Sequence, residues 1–224
     1  MQKLLTALLV LPMSLLPLPS KADPYIGPTQ WKTNHATGCM LLGECTEGVV
    51  RIKSYEDLVR AFPGTDLLRY QEEVAQLLEV IDAVGVEIYI ADQKYFVSRA
   101  AGIYGTKVNK LFLNRDFMQL PRQMVKTLRH EGFHVAQDCM AGGIENSFLG
   151  VLHTDEEVPD WWKELAAELY PPNAQPWEQE AKWMGDVEYG TIKALEACKA
   201  GPMWEHMKPT PMTKEWLTLK GYIK

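Results

Sequence analysis

One stretch constrains this chain more than any other, the run from Pro121 to Met140. Pro121 suits the first turn of a helix, and Gly142–Gly143 is a natural stop. Between them Met124, Val125, Leu128, Gly132, Val135, Ala136 and Cys139 share one face, within about 120° of each other at helical spacing. That face has to be buried. The opposite face carries His130 and His134, from the run His130-Glu131-Gly132-Phe133-His134. Such a helix belongs between two layers, one packing against its apolar stripe and one facing the histidines. Gly132 lies inside the stripe and predicts close approach to a sheet.

The flanking sequence predicts both layers. Ser54, with Asp57 three residues on, opens a short helix ended by Pro63–Gly64. Leu67 to Ala83 repeats apolar residues at helical spacing and stops at Gly85. The period then changes. Val86, Ile88 and Ile90 alternate with Glu87 and Tyr89, and Tyr95–Val97, Ile103–Tyr104 and Leu111–Leu113 read as further short strands. With Val49–Lys53 they predict a small antiparallel or mixed sheet. Residues 141–158 read as loop, Asp160 caps a helix to Tyr170, and Pro176 begins a helix from Trp177 to about Cys198. The expected fold class is α+β: a small sheet backing the histidine helix, then a mostly helical C-terminal lobe. Residues 23–48 read as a loop-rich arm, 49–140 as the sheet and metal-helix lobe, and 141–224 as the helical lobe, all in one domain.

Two histidines four residues apart on a helix stand one above the other and can share a metal, and neutral imidazole is a good zinc ligand. Glu131 sits beside the first of them, within reach of water at that metal. A catalytic zinc takes three protein ligands. The segment Trp177-Glu178-Gln179-Glu180-Ala181 offers two carboxylates on different helix faces. Glu178 shares its face with Ala181 and Gly185, whose small size allows close packing on the histidine helix. Glu180 shares its face with Met184 and Val187, a core-like stripe. The neighbours favour Glu178 as third ligand, with Glu180 as the alternative.

His-Glu-x-x-His followed on a later helix by Glu-x-x-Ala resembles the gluzincin class of zinc metallopeptidases, over roughly residues 86–195. Gln137 and Met140 exclude the metzincin pattern, and Lys182 stands where the gluzincin motif commonly has an acid or amide. The resemblance implies a zincin-like fold, zinc held by His130, His134 and Glu178, and Glu131 as general base in the hydrolysis of a peptide or protein substrate. It also implies an edge strand that binds substrate, from residues 101–105 or 110–114. His153, Tyr170 and Tyr189 are candidate donors to the developing oxyanion. A zinc-binding protein without peptidase activity, and a zinc hydrolase of a non-peptide amide or ester, are the alternatives.

Location follows from the N-terminus and the cysteines. Residues 1–22 combine Lys3, an apolar stretch and the small residues Ser20 and Ala22, a signal-peptide pattern shorter than a bilayer span. The expected chain is secreted or periplasmic, without stable membrane association once the signal is removed. Without Lys3 and Lys21 the formal charge moves from −6 to −8. An acidic chain lacking a basic cluster argues against nucleic acid as a partner. Cys39, Cys45, Cys139 and Cys198 make an even count that reads as two disulfides. Pairing Cys39–Cys45 and Cys139–Cys198 is the simplest scheme. One unbroken helix over residues 178–198 would, however, carry Cys198 roughly 30 Å from Glu178, too far from Cys139. A break at Gly185 or Gly190 restores that pairing.

Overall fold

A computed structural model describes residues 28–97, 100–145 and 147–200. The segment expected to be a signal peptide and the tail beyond residue 200 lie outside the described residues.

The central element is a four-stranded sheet, and burial explains its order. The strands are β1 (Val50–Ile52), β2 (Glu87–Ala91), β3 (Gly102–Gly105) and β4 (Lys110–Asn114), arranged β1-β2-β4-β3. β4 reads Leu-Phe-Leu at its centre and is covered on both faces, as an interior strand requires. β3 has glycine at both ends and is only half-buried, which suits an edge. β2 and β4 run parallel, whereas β1–β2 and β3–β4 are antiparallel. The sheet is therefore mixed and not a simple meander. The strand expected at Tyr95–Val97 is instead a tight 3-10 turn over Gln93–Tyr95. This turn starts the chain on its way to the far edge before β4 returns to the middle.

The pleat sends alternate residues to two cores. Ile88, Ile90, Leu111 and Leu113 pack with helices α3 (Gln71–Ala83) and α4 (Pro121–Met140). Tyr89 and Phe112 point the other way, with their rings stacked 5.2 Å apart. They share a cluster with Met40, Tyr95 and Phe96. Met40 belongs to helix α1 (Pro28–Leu41), where a loop-rich arm was expected. The apolar residues of α1 are scattered around its axis and gather into no stripe, so periodicity does not reveal it. The Cys39–Cys45 disulfide closes its C-terminal end. The short helix α2 (Tyr55–Ala61) has its Ser54–Asp57 capping box in place.

The second layer is helical: α5 (Asp160–Leu169), α6 (Gln175–Gly185) and α7 (Gly190–Ala200). Asp160 is the first residue of α5, and Pro159 occupies the cap without a side-chain bond. The long helix expected from Trp177 to Cys198 breaks after Gly185. Tyr189 takes a positive φ of 59° there, and its N–H donates to Glu73 Oε1 at 2.9 Å. The break turns α7 back along α4. Cys198 thereby meets Cys139 with 6.2 Å between Cα atoms, and all four cysteines are paired.

α4 lies in the middle, as its two-faced sequence requires. Its apolar stripe is buried, but Gly132 approaches helices and not the sheet. A Cβ there would lie 3.1 Å from both Ile81 of α3 and Thr191 of α7. α6 packs closely on the neighbouring flank, where a Cβ on Gly185 would come within 3.3 Å of the Lys126 backbone. The two disulfides point to an oxidising, extracellular environment. Among the described residues no helix is long and apolar enough to cross a membrane.

Candidate metal centre

The turn of α4 that carries His130 and His134 faces α6, and the small Ala181 and Gly185 let α6 come near. Glu178, in the first turn of α6, then meets both imidazoles. Its Oε2 lies 3.6 Å from His130 Nε2 and 3.7 Å from His134 Nε2. These separations exceed hydrogen-bond range but suit donor atoms that share one ion at about 2.1 Å each. One donor atom from each of His130, His134 and Glu178 lies within 4.8 Å of the others. Glu178 Oε2 is shielded from solvent and has no hydrogen-bond partner among the described residues. A buried carboxylate oxygen left in that way is costly unless something else satisfies it. The donor set, two imidazoles and a carboxylate, suits zinc.

The protonation pattern of the histidines is built in. His134 Nδ1 lies 2.8 Å from Gln137 Oε1. The Gln137 amide donates its N–H groups to Trp177 O at 3.0 Å and Glu180 Oε2 at 2.8 Å, so its oxygen must face the imidazole. His134 therefore donates from Nδ1 and leaves Nε2 toward Glu178, the arrangement that supports a metal ligand. Burial, reinforced by His134, pushes His130 down to about 3 and keeps it neutral. Burial acts to lower His134 as well, but the Glu178 and Glu131 carboxylates outweigh it and raise the group to about 9, so an ion bound here has to displace the proton on Nε2 while Gln137 keeps the one on Nδ1. Burial acts to raise Glu178, and His134, His130 and Lys182 together hold it down at about 2.

Glu131 stands on the other side of the histidines, against β3. Burial raises its carboxyl to about 7, and the main-chain amide of Tyr104 acts to lower it. Gly102 makes this contact possible, since a Cβ there would sit 2.6 Å from Glu131 Cγ. The Tyr104 hydroxyl donates to Asp138 Oδ2 at 2.8 Å, which ties the same strand to the next turn of α4.

These groups line a cavity of about 460 Å³, bordered by β3 residues Gly102–Tyr104, by Thr127, and by Tyr170 and Lys182. Of the two strand segments considered for an edge, only β3 is an edge; β4 is interior. Of the three candidate donors, Tyr170 alone lines this cavity. Burial and the Glu178 and Glu131 charges raise its phenol. The His153 ring instead stacks on Phe133 at 5.8 Å and meets Trp183 at 5.0 Å. Tyr189 serves the helix break through its backbone.

Glu180, the alternative third ligand, has other work. It is fully buried and accepts from Gln137 Nε2, from Leu152 N at 3.1 Å and from the His153 N–H. It pins the loop before α5 to α4 and α6. The sequence reading missed Gln137, Tyr104 and Gly102. Gln137 had a usable signal, its i+3 position after His134 on the same helix. The other two depend on strand placement, which no local pattern specifies. No protein family matches this chain, and neither does any curated protein or solved structure.

Proposed function

We propose that this chain is an exported zinc-dependent metallopeptidase with a zincin-like arrangement of sheet and metal helix. His130, His134 and Glu178 hold the ion, and Glu131 acts as general base on a peptide or protein substrate. The observation that carries this reading is Glu131 itself. It is a buried carboxyl beside a three-donor group and open to the same cavity. Its position, against β3 and open to the cavity that the three donors share, is what a general base acting on water at a bound ion requires.

A zinc ion bound there supplies Lewis acidity, which polarises a carbonyl and acidifies water. Glu131 takes the proton from the attacking water and delivers it to the leaving amine nitrogen as the C–N bond breaks. Tyr170 donates to the oxygen that gains charge. The free edge of β3 offers main-chain groups to an extended substrate, and the walls of the cavity read its side chains. Structural zinc sites favour thiolates and close all four positions. All four cysteines here are in disulfides, which favours a catalytic over a structural role for the ion.

The test is metal content and peptide hydrolysis of the oxidised mature protein. Wild type is expected to hold about one zinc per chain, Glu178→Ala to lose it, and Glu131→Gln to retain it while activity falls at least 100-fold. Undiminished hydrolysis by Glu131→Gln would remove the mechanism. Absence of zinc from reconstituted wild type would remove the whole reading.

A further inference from the structure

The cavity wall carries a lysine that makes no close ion pair among the described residues, although the Glu178 and Glu131 charges reach it across the cavity. Its charged lining consists of Lys126, His130, Glu131, His134, Glu178 and Lys182. Lys126 is committed elsewhere, with Nζ 2.6 Å from Asp186 Oδ2 and 5.0 Å from the Trp162 ring centroid. Lys182 has no such partner. Among the described residues no carboxylate lies within 4.0 Å of its ammonium. It is half-buried, and its Nζ stands 5.2 Å from the Tyr170 ring centroid. That ring lines the same cavity, so the cation–π contact keeps the ammonium on the cavity wall. An ammonium so placed has given up part of its hydration without gaining an ion pair. An incoming anion supplies what is missing, and does so away from bulk solvent.

The position along the site follows from helix geometry. Lys182 is four residues after Glu178 on α6, on the same face and roughly 5–6 Å along the axis. An extended chain rises about 3.3 Å per residue. We propose that Lys182 is a specificity-determining residue, selecting substrates that carry a carboxylate within about two residues of the bond attacked. The carboxylate is that of an acidic side chain or of a free chain terminus. The proposal rests on the peptidase reading for the word substrate, but the binding preference has its own readout.

The experiment uses zinc-loaded, disulfide-intact protein and two sets of pentapeptides. In one, both termini are blocked and a single Glu, Gln or Lys is moved across positions. In the other, a neutral peptide ends in a free carboxylate or an amide. Wild type is expected to favour Glu over Gln at one position by tenfold or more in kcat/KM, chiefly through KM. The free-terminus pair shows the same preference if the terminal carboxylate is the group recognised. Lys182→Arg retains the preference, Lys182→Gln reduces it to within twofold, and Lys182→Glu inverts it toward the Lys peptide. Calorimetric binding of the same peptides to the Glu131→Gln variant reads the preference without turnover. Preferential binding of carboxylate peptides without hydrolysis by the wild type sustains the role of Lys182 and removes the peptidase reading. Equal hydrolysis or binding of Glu and Gln peptides together with equal treatment of the two termini overturns the proposal, as does a preference that survives in Lys182→Gln. Failure of every peptide to bind also overturns it.

Discussion

Two buried polar clusters flank α4, and they are finished differently. On one side Arg129 donates from Nε and Nη2 to the two oxygens of Glu73, at 2.8 and 2.5 Å. Arg129 also reaches Gly185 O at 3.4 Å, and Glu73 accepts the Tyr189 N–H. Both side chains are buried, and the cluster joins α3, α4 and the break between α6 and α7. On the adjoining face, beginning at the very next residue, His130, His134 and Glu178 converge and leave Glu178 Oε2 without a partner among the described residues. The first cluster is closed upon itself and serves architecture. The second is open toward a cavity and brings together three donors that could hold a metal ion. Burial and charge are common to both; what separates them is that one has its donors and acceptors paired with each other, while the other gathers three metal-type donors on the wall of a cavity.

The contrast can be broken at its closed end first. Glu73→Ala strands a buried guanidinium and is expected to cost about 3–5 kcal/mol, roughly 10 °C or more in melting temperature. Zinc bound per folded chain should be unchanged. If thermal denaturation is unaltered while zinc is lost, the division between the clusters fails. Gln137→Met is the next largest. It removes the acceptor for His134 Nδ1 and one donor to Glu180, and is expected to weaken zinc binding about 10–100-fold. Competition with a chelator measures this, and an unchanged affinity would mean that Gln137 does not orient His134.

The smallest effect concerns Asp138, whose carboxyl is raised to about 7, mainly by burial and against the Tyr104 hydrogen bond. An acid raised in the folded state holds a proton that the unfolded chain has released. Its contribution is therefore greatest below about pH 4 and is lost as pH rises to about 7. Relative to wild type, Asp138→Asn should gain a few degrees in melting temperature across that window and nothing further above it. A difference that is flat from pH 4 to 8 would show that Asp138 is not protonated in the fold.

The legible parts of the site were those written on single helices. His130 and His134 announce themselves by spacing, and the apolar stripe opposite them fixes which way they look. That Glu178, and not Glu180, faces the two histidines was readable from the size of their helical neighbours. Small residues mark the face that approaches α4, and bulky ones the face that enters the core. The glycines flanking residues 186–189 marked the break that Cys139–Cys198 needs. Non-local features were hidden. The parallel pairing of β2 with β4 depends on where the chain crosses, and α1 is a helix without a stripe. The Arg129–Glu73 pair joins residues 56 apart in sequence. Lys182 was visible as a departure from a motif, but its lack of a close ion pair is a property of the assembled cavity.

The Cys139–Cys198 bond closes a loop with a sequence separation of 59, and Tyr170, Glu178 and Lys182 all lie inside it. Its loop-closure entropy is worth about 4 kcal/mol against the unfolded chain. The two halves of the candidate site thus remain tethered when packing loosens, at an effective concentration of millimolar order. Oxidation therefore acts as a memory of assembly: a chain crosslinked once can open and close again without α6 having to search for the histidine helix.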